Sequence, residues 1–219
     1  MITFAQIKEN PDIHTYIEQS DQMMKELGYT EHSFPHALLS AERASRILSS
    51  LDYSSRMIEL AQIAGYMHDI GNLVNRVDHA HTGGIMAFTL LQNLGMPADE
   101  IALIVSAIGT HDEATAIAVN PISAALIIAD KSDVRRSRVR NRNSTAFDIH
   151  DRVNFAVEHC DVLINEEKNL VTLDITIDSK ICPPMEYFEI FISRMLLCRR
   201  AAEFLKLRFS LIVNKMIMM

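Results

Sequence analysis

The sequence predicts a mainly α-helical protein that closes with a small α+β region, and three observations predict it. Up to about residue 140, apolar residues recur at helical spacing between cap-like or proline-marked starts. After about residue 160 the period changes to alternation with β-branched residues. Seven Gly and six Pro in 219 residues leave little material for a loop-rich fold. A chain of this length can bury roughly 70–75% of its unfolded surface, so one large core with a small appendage is expected.

The elements follow in order. Residues 1–31 read as an N-terminal helical segment. Ser33 and Pro35 then mark a helix start, with Leu38, Ala41, Ala44, Ile47, Leu48 and Leu51 at helical spacing. A second helix runs from about Ser55, with Ile58, Ala61, Ala64 and Met67 inward, and stops at Gly71. A third follows Thr82 and ends at Gly95, with Pro97 beyond. A fourth carries Asp99 and Glu100 in its first turn, where the helix dipole favours them, and ends near Gly109. Asn120-Pro121 opens a fifth. The stretch Asn143–His159 is open between helix and loop. Beyond it, Asp161–Asn165 and Leu170–Asp178 form a hairpin joined through Glu166–Asn169, then come a long helix, about Met185–Leu205, and a final strand, Phe209–Val213.

Composition removes several function classes. With 21 basic and 28 acidic residues the net charge is −7, which argues against a general nucleic-acid surface. The three cysteines form no CxxC pair, so a disulfide framework or cysteine zinc site is not expected and reduced cytoplasmic thiols fit. The start carries Lys8 and Glu9 and lacks a signal-peptide core, and Arg194, Arg199 and Arg200 interrupt the longest apolar stretches, so no membrane partner is expected. No P-loop, G-x-G-x-x-G or G-x-S-x-G pattern occurs, leaving ATPase, Rossmann dehydrogenase and serine hydrolase without support.

The histidines carry the positive signal. His36 lies in the first turn of its helix on the stripe of Ser40, Ala44, Ile47 and Leu51. His68 continues the stripe of Ala61, Ala64 and Gly65, and Asp69 sits in the same last turn, where exposed carbonyls disfavour a carboxylate. Asp130 ends the run Ala124–Ala129, an almost wholly buried face where a lone carboxylate would cost several kcal/mol. His81 immediately precedes a helix and His111 follows one. Each alone is most simply a cap or a satisfied polar residue. Six such positions in one ordered series are hard to explain separately. His79 could donate a proton to a leaving group but reads more simply as a surface-loop residue, and His32 reads as a loop residue. His14, His150 and His159 lack supporting context, and the twelve methionines read as core filler.

The ordered set His36, His68-Asp69 and Asp130 on a helical bundle resembles the HD-domain metal-dependent phosphohydrolases. With His81 and His111 added it is similar to the six-ligand subgroup that holds two metal ions. The phrases His81-Thr-Gly-Gly84 and Ile127-Ile-Ala-Asp-Lys131 are similar in particular to HD-type diadenosine tetraphosphate hydrolases. On this resemblance the chain would be an HD-domain helical bundle over residues 32–142; the C-terminal α+β subdomain, residues 143–219, falls outside the resemblance. His36, His68 and Asp130 would hold one divalent ion, His81 and His111 a second, and Asp69 would bridge them. Imidazole and carboxylate donors suit iron or manganese, with zinc, nickel or cobalt as alternatives. Such a pair turns a water into the nucleophile for in-line attack on phosphorus. The cyclic-dinucleotide branch of the superfamily has a His-His-Glu and a Gly-Tyr-Pro element; here His111-Asp112-Glu113 is followed by Ala-Thr-Ala-Ile. That departure argues against a cyclic-dinucleotide substrate and leaves open whether Asp112 is a ligand.

The implied substrate is a small phosphorylated compound, a nucleotide first among them, and it requires protein cations. Lys131, Arg135, Arg136, Arg138, Arg140 and Arg142 follow Asp130 directly. Lys131 is taken as a catalytic and substrate-phosphate residue beside Asp69, with Arg135 and Arg138 as guanidinium partners for phosphate. The alternative is a non-catalytic nucleotide-sensing module. The hairpin edge can pair in a homodimer or cover the site, and the sequence gives no reason to choose.

Overall fold

A computed structural model describes residues 1–141 and 148–219. It begins with α1 (Phe4–Glu9) and α2 (Pro11–Glu26), separated by Asn10, whose side chain caps the second helix at Asp12 and Ile13. Next come α3 (Phe34–Ser50) and α4 (Ser55–Met67), then a 3-10 turn, Ile70–Leu73. The helices α5 (His79–Asn93), α6 (Ala98–Gly109) and α7 (Pro121–Lys131) complete the main bundle. After the short α8 (Ile149–Ala156) the chain enters β1 (Val157–Ile164) and β2 (Leu170–Ile177). It then crosses through α9 (Pro184–Phe204) and returns in β3 (Arg208–Val213) and β4 (Met216–Ile217). This is the mainly helical architecture with a small C-terminal sheet that the sequence predicts.

Close packing at two glycines sets the geometry of the bundle. A Cβ at Gly65 would lie 2.7 Å from the backbone of Ala41, so α3 and α4 meet backbone to backbone. A Cβ at Gly71 would lie 2.0 Å from the carbonyl oxygen of His79, so the 3-10 turn presses onto the start of α5. Gly71 therefore does not terminate α4; it admits a neighbouring helix. The Ser20 hydroxyl of α2 donates to the Ile70 carbonyl at 3.0 Å and fastens the same turn from the other side. The turn that carries Asp69 is thus clamped between two helices.

The sheet order is β1-β2-β3-β4. The β1–β2 and β3–β4 pairs are antiparallel, and β2–β3 is parallel because α9 makes the crossover. In β2, Val171, Leu173, Ile175 and Ile177 point into the core, as alternation predicts. The strand β4 lies beyond the last one the sequence suggests. Its connection, Asn214-Lys215, has positive φ at both residues, the conformation of a tight two-residue hairpin turn. Of the open stretch 143–159, residues 149–156 are helical and 157 onward is strand, while 142–147 lie outside the described residues.

Apolar packing and side-chain hydrogen bonds both hold the sheet to the bundle. Phe191, Met195, Cys198 and Ala202 of α9 are buried in the hydrophobic core that also contains α7. Arg43 and Arg46 of α3 donate to the carbonyls of Cys160 and Val162 on β1, satisfying strand groups that would otherwise lie at an open edge. Among the described residues no helix is long and apolar enough to cross a membrane.

Candidate metal centre

Helix ends bring the histidines together. His36 is the third residue of α3, His68 caps α4, His79 is the first residue of α5 and His111 follows α6. All four rings are buried. Each is aimed by its Nδ1. That nitrogen donates to the carbonyl of Gly65 in His68 (2.8 Å), of Arg76 in His79 (3.0 Å) and of Ile108 in His111 (2.6 Å). In His36 it donates to the Asp133 carboxylate at 2.7 Å. Because carbonyls only accept, those Nδ1 atoms carry the hydrogens, and in the neutral rings every Nε2 presents a lone pair.

The Nε2 atoms converge in pairs. His36 and His68 approach to 3.2 Å, and His79 and His111 to 3.3 Å. Asp69 lies between the pairs: its Oδ2 is 3.5 Å from His36 and 3.3 Å from His68, while its Oδ1 is 3.4 Å from His79 and 3.8 Å from His111. Asp130 adds its Oδ1 to the first pair, at 3.4 Å from His36 and 3.6 Å from His68. Its other oxygen accepts from the Lys131 ammonium at 2.6 Å. Asp112 stands 3.9 Å from His79 on the second side. Lone pairs that face one another across such gaps repel unless a cation or a proton lies between them.

The electrostatics of the pairs differ. Burial and Arg138 disfavour charge on His36, but Asp130, Asp133 and Asp69 outweigh them and raise its pKa to about 9. Burial likewise opposes charge on His68, yet Asp69 and Asp130 bring it to about 10. At His79, burial, His111 and Arg76 win over Asp69 and Asp112, and the pKa falls to about 4. Burial also lowers His111, aided by His68 and Lys131. Asp69 and Asp130 are held far below the usual carboxylate range: burial resists, but His68 and Lys131 respectively prevail, with the other histidines.

The structure brings together His36, His68, Asp69, His111 and Asp130 of the residues read from the sequence. It does not bring in His81, whose side chain is 58% exposed and pairs with Asp78 at 3.7 Å. The reason is a helix boundary. The third helix begins at His79, three residues before Thr82, and residues two apart on a helix point about 200° from each other. Only one of His79 and His81 can face the cluster, and it is His79. A signal for this lay in the spacing: His79, Gly83, Ala87 and Leu91 recur every four residues, and all are buried.

The basic run after Asp130 is mostly occupied by the protein itself. Arg135 donates to Asp133 and Glu31, Arg136 to the Phe155 carbonyl, and Arg140 to Asp21 and the carbonyl of Tyr29. Arg142 lies outside the described residues. A cavity of about 240 Å³ opens on Asp69, His79 and Asp130, and of the sequence's substrate candidates Lys131 and Arg138 line it while Arg135 does not. Arg138 is itself buried, donating to the carbonyls of Glu31 and Asp133 at 2.9 Å. His32 and His150 line the cavity as well, as does Arg76, which lies 3.9 Å from Asp69 and over the ring of Tyr29.

The donor set fits transition metals. His36, His68 and Asp130 each offer a ligand atom within 4.8 Å of the others, as do His68, Asp69 and His111. Mixed imidazole and carboxylate donors suit first-row ions such as iron, manganese or zinc better than magnesium. Carbonyl and carboxylate acceptors behind the rings are the outer shell that metal-binding histidines generally have.

No family model matches the chain. It is similar to an uncharacterised protein of Methanocaldococcus jannaschii, MJ1020, at 22% identity over 189 residues, covering 75% of this chain and 72% of that protein. It also resembles a crystal structure described as a predicted HD superfamily hydrolase from an uncultured Thermotogales bacterium. There the identity is 25% and the TM-score 0.45, covering 57% of this chain and 67% of the other.

Proposed function

We propose that this chain is a metal-dependent phosphohydrolase of the HD-domain type, acting on a small phosphorylated substrate, a nucleotide first among them. The observation that carries the reading is Asp69, whose two oxygens face two separate pairs of histidine Nε2 atoms. His36, His68, Asp69 and Asp130 would hold one divalent ion, and Asp69, His79 and His111 the other, with Asp112 at the margin. When bound, iron or manganese ions here would supply a water of lowered pKa and positive charge for the phosphoryl oxygens.

The chain's own residues account for the rest. The buried Nδ1 bonds fix four rings so that their donors need no rearrangement. Lys131 balances Asp130 and lines the cavity, so its positive charge stands where a phosphate would enter. Arg76 adds a second cation beside Asp69 and His79. Water attack on a phosphoester or phosphoanhydride breaks the bond between phosphorus and the leaving oxygen, releasing phosphate or a phosphorylated fragment.

Elemental analysis of the purified protein, joined to a phosphate-release panel, tests the reading. The panel comprises p-nitrophenyl phosphate, nucleoside phosphates and dinucleoside polyphosphates, supplied with manganese or iron. Bound transition metal and metal-dependent release are expected. Metal without release from any substrate, together with saturable nucleotide binding, would instead make the chain a sensing module.

A further inference from the structure

Among the described residues the cations lining the cavity are Arg76, Lys131, Arg138 and Arg194. Lys131 is committed to Asp130, and Arg138 to two backbone carbonyls. Arg194 differs in origin and in commitment. It comes from α9, the crossover helix of the C-terminal sheet, and its guanidinium lies 4.6 Å from the centre of the Phe191 ring. It donates from Nε to the Glu113 carboxylate, two residues beyond His111. Neither of its terminal nitrogens has a protein acceptor among the described residues. The pair is partly exposed, at 26% for Arg194 and 33% for Glu113, and ion pairs of that kind are weak. A phosphate dianion, able to take two parallel N–H bonds, is a better partner for the remaining fork than this single carboxylate contact.

We propose that Arg194 is the substrate-phosphate clamp of the cavity and that Glu113 holds it ready. The C-terminal region then supplies part of the active site. This rests on the phosphohydrolase reading, and it gives α9 a task that the bundle alone does not require. Phe191 supports the assignment mechanically. It is buried, packs edge-on to Tyr187 and lies under the guanidinium, so the arginine is braced as well as paired. The Glu113 bond uses only Nε, and so leaves free the two nitrogens that a phosphate needs.

The test titrates inorganic phosphate, the product of phosphomonoester cleavage, into manganese-loaded protein by calorimetry. It is run on wild type, Arg194→Ala, Arg194→Lys and Glu113→Gln, with metal content and circular dichroism checked for each. Loss of a charge-assisted contact predicts phosphate binding weakened about ten- to hundredfold in Arg194→Ala, with partial recovery in Arg194→Lys. Glu113→Gln keeps an acceptor for Nε but removes the competing charge, so binding should tighten by a few-fold. The KM of any substrate found should move in the same directions while metal content stays constant. A brace without a ligand role predicts otherwise: Arg194→Ala unchanged within about twofold, or both variants weakened together, overturns the proposal. Wild type that binds no phosphate overturns it too. Wild type that binds phosphate but cleaves nothing sinks the hydrolase reading, and the comparison of variants still decides the role of Arg194.

Discussion

The two halves of the histidine cluster are built from the same parts and set in different surroundings. His36 and His68 face two carboxylates, with a third, Asp133, behind His36. His79 and His111 share Asp69 alone at short range, with Asp112 more distant and Arg76 alongside. The first half therefore attracts positive charge strongly enough to protonate when no metal is present, whereas the second keeps neutral rings. Access differs as well. Of the four rings His79 lines the cavity while His36, His68 and His111 do not, and of the carboxylates Asp69 and Asp130 line it. On the proposed reading the carboxylate-rich pair, the enclosed half, would anchor an ion, and the pair that includes His79, the open half, would bring a ring to the substrate.

Asp69 belongs to both halves, and changing it should have the largest effect. Asp69→Asn removes a shared negative charge and should lower turnover by about 10³-fold while emptying the centre of metal. The helical circular dichroism should persist. Retention of both metal and full turnover would remove the bridging role from Asp69.

The next largest effect separates His79 from His81. His79→Ala should cost about 10²-fold in turnover and deplete one ion, because it removes a buried donor of the open half. His81→Ala should stay within about twofold, since its ring is exposed beside Asp78. The reverse outcome would mean that α5 is rotated relative to the cluster. Metal counts and rates measured on the two variants in parallel decide it.

What could be read from the sequence divides along the same line. Asp69 and Asp130 were legible because each puts a carboxylate where a local rule disfavours it, and His36 and His68 because each lies on an apolar stripe whose register is unambiguous. α5 offered two stripes instead. His79, Gly83, Ala87 and Leu91 are buried, whereas His81, Ile85 and Phe88 run beside them in solvent, with Ile85 69% exposed. Hydrophobicity alone cannot decide between two apolar faces, so the register of that helix was lost with its first turn. Asp133 was hidden for another reason: its partner His36 lies 97 residues away, and in sequence it reads as one more charge in a basic run. That run looked like a phosphate site, yet Asp21, Glu31 and Asp133 consume most of it, a pairing visible only after folding. The fold class needed less information, because caps and periodicity act locally.

Asp133 gives a smaller and more selective way to test the comparison. Among the four rings only His36 is oriented by a carboxylate, and that carboxylate is fixed in turn by Arg135 and Arg138. Asp133→Asn keeps the shape and loses the charge. It should weaken metal binding in the enclosed half by about 10- to 100-fold and leave the open half unchanged. Equal weakening of both ions in a metal titration would show that the halves are one coupled site.

The pH dependence of metal binding should separate the halves by its slope. His36 and His68 have pKa values raised to about 9 and about 10, and their facing Nε2 atoms, 3.2 Å apart, hold a proton between them, so in the metal-free protein the pair is charged at neutral pH. The stability they contribute is fully present below their unfolded pKa of about 6.5 and is lost as pH rises through 9 to 10. Metal must displace that proton. The affinity of the enclosed half should therefore rise by up to about tenfold per pH unit for each proton displaced, levelling off near pH 10. His79, lowered to about 4, has no proton to lose above pH ~6, so the open half should bind with little pH dependence there. Manganese titrations of metal-free protein at pH 6, 7, 8 and 9 would resolve one steep and one flat phase. Two phases with the same slope would mean that the carboxylates are shared evenly, and the division between an anchoring and a working half would fail.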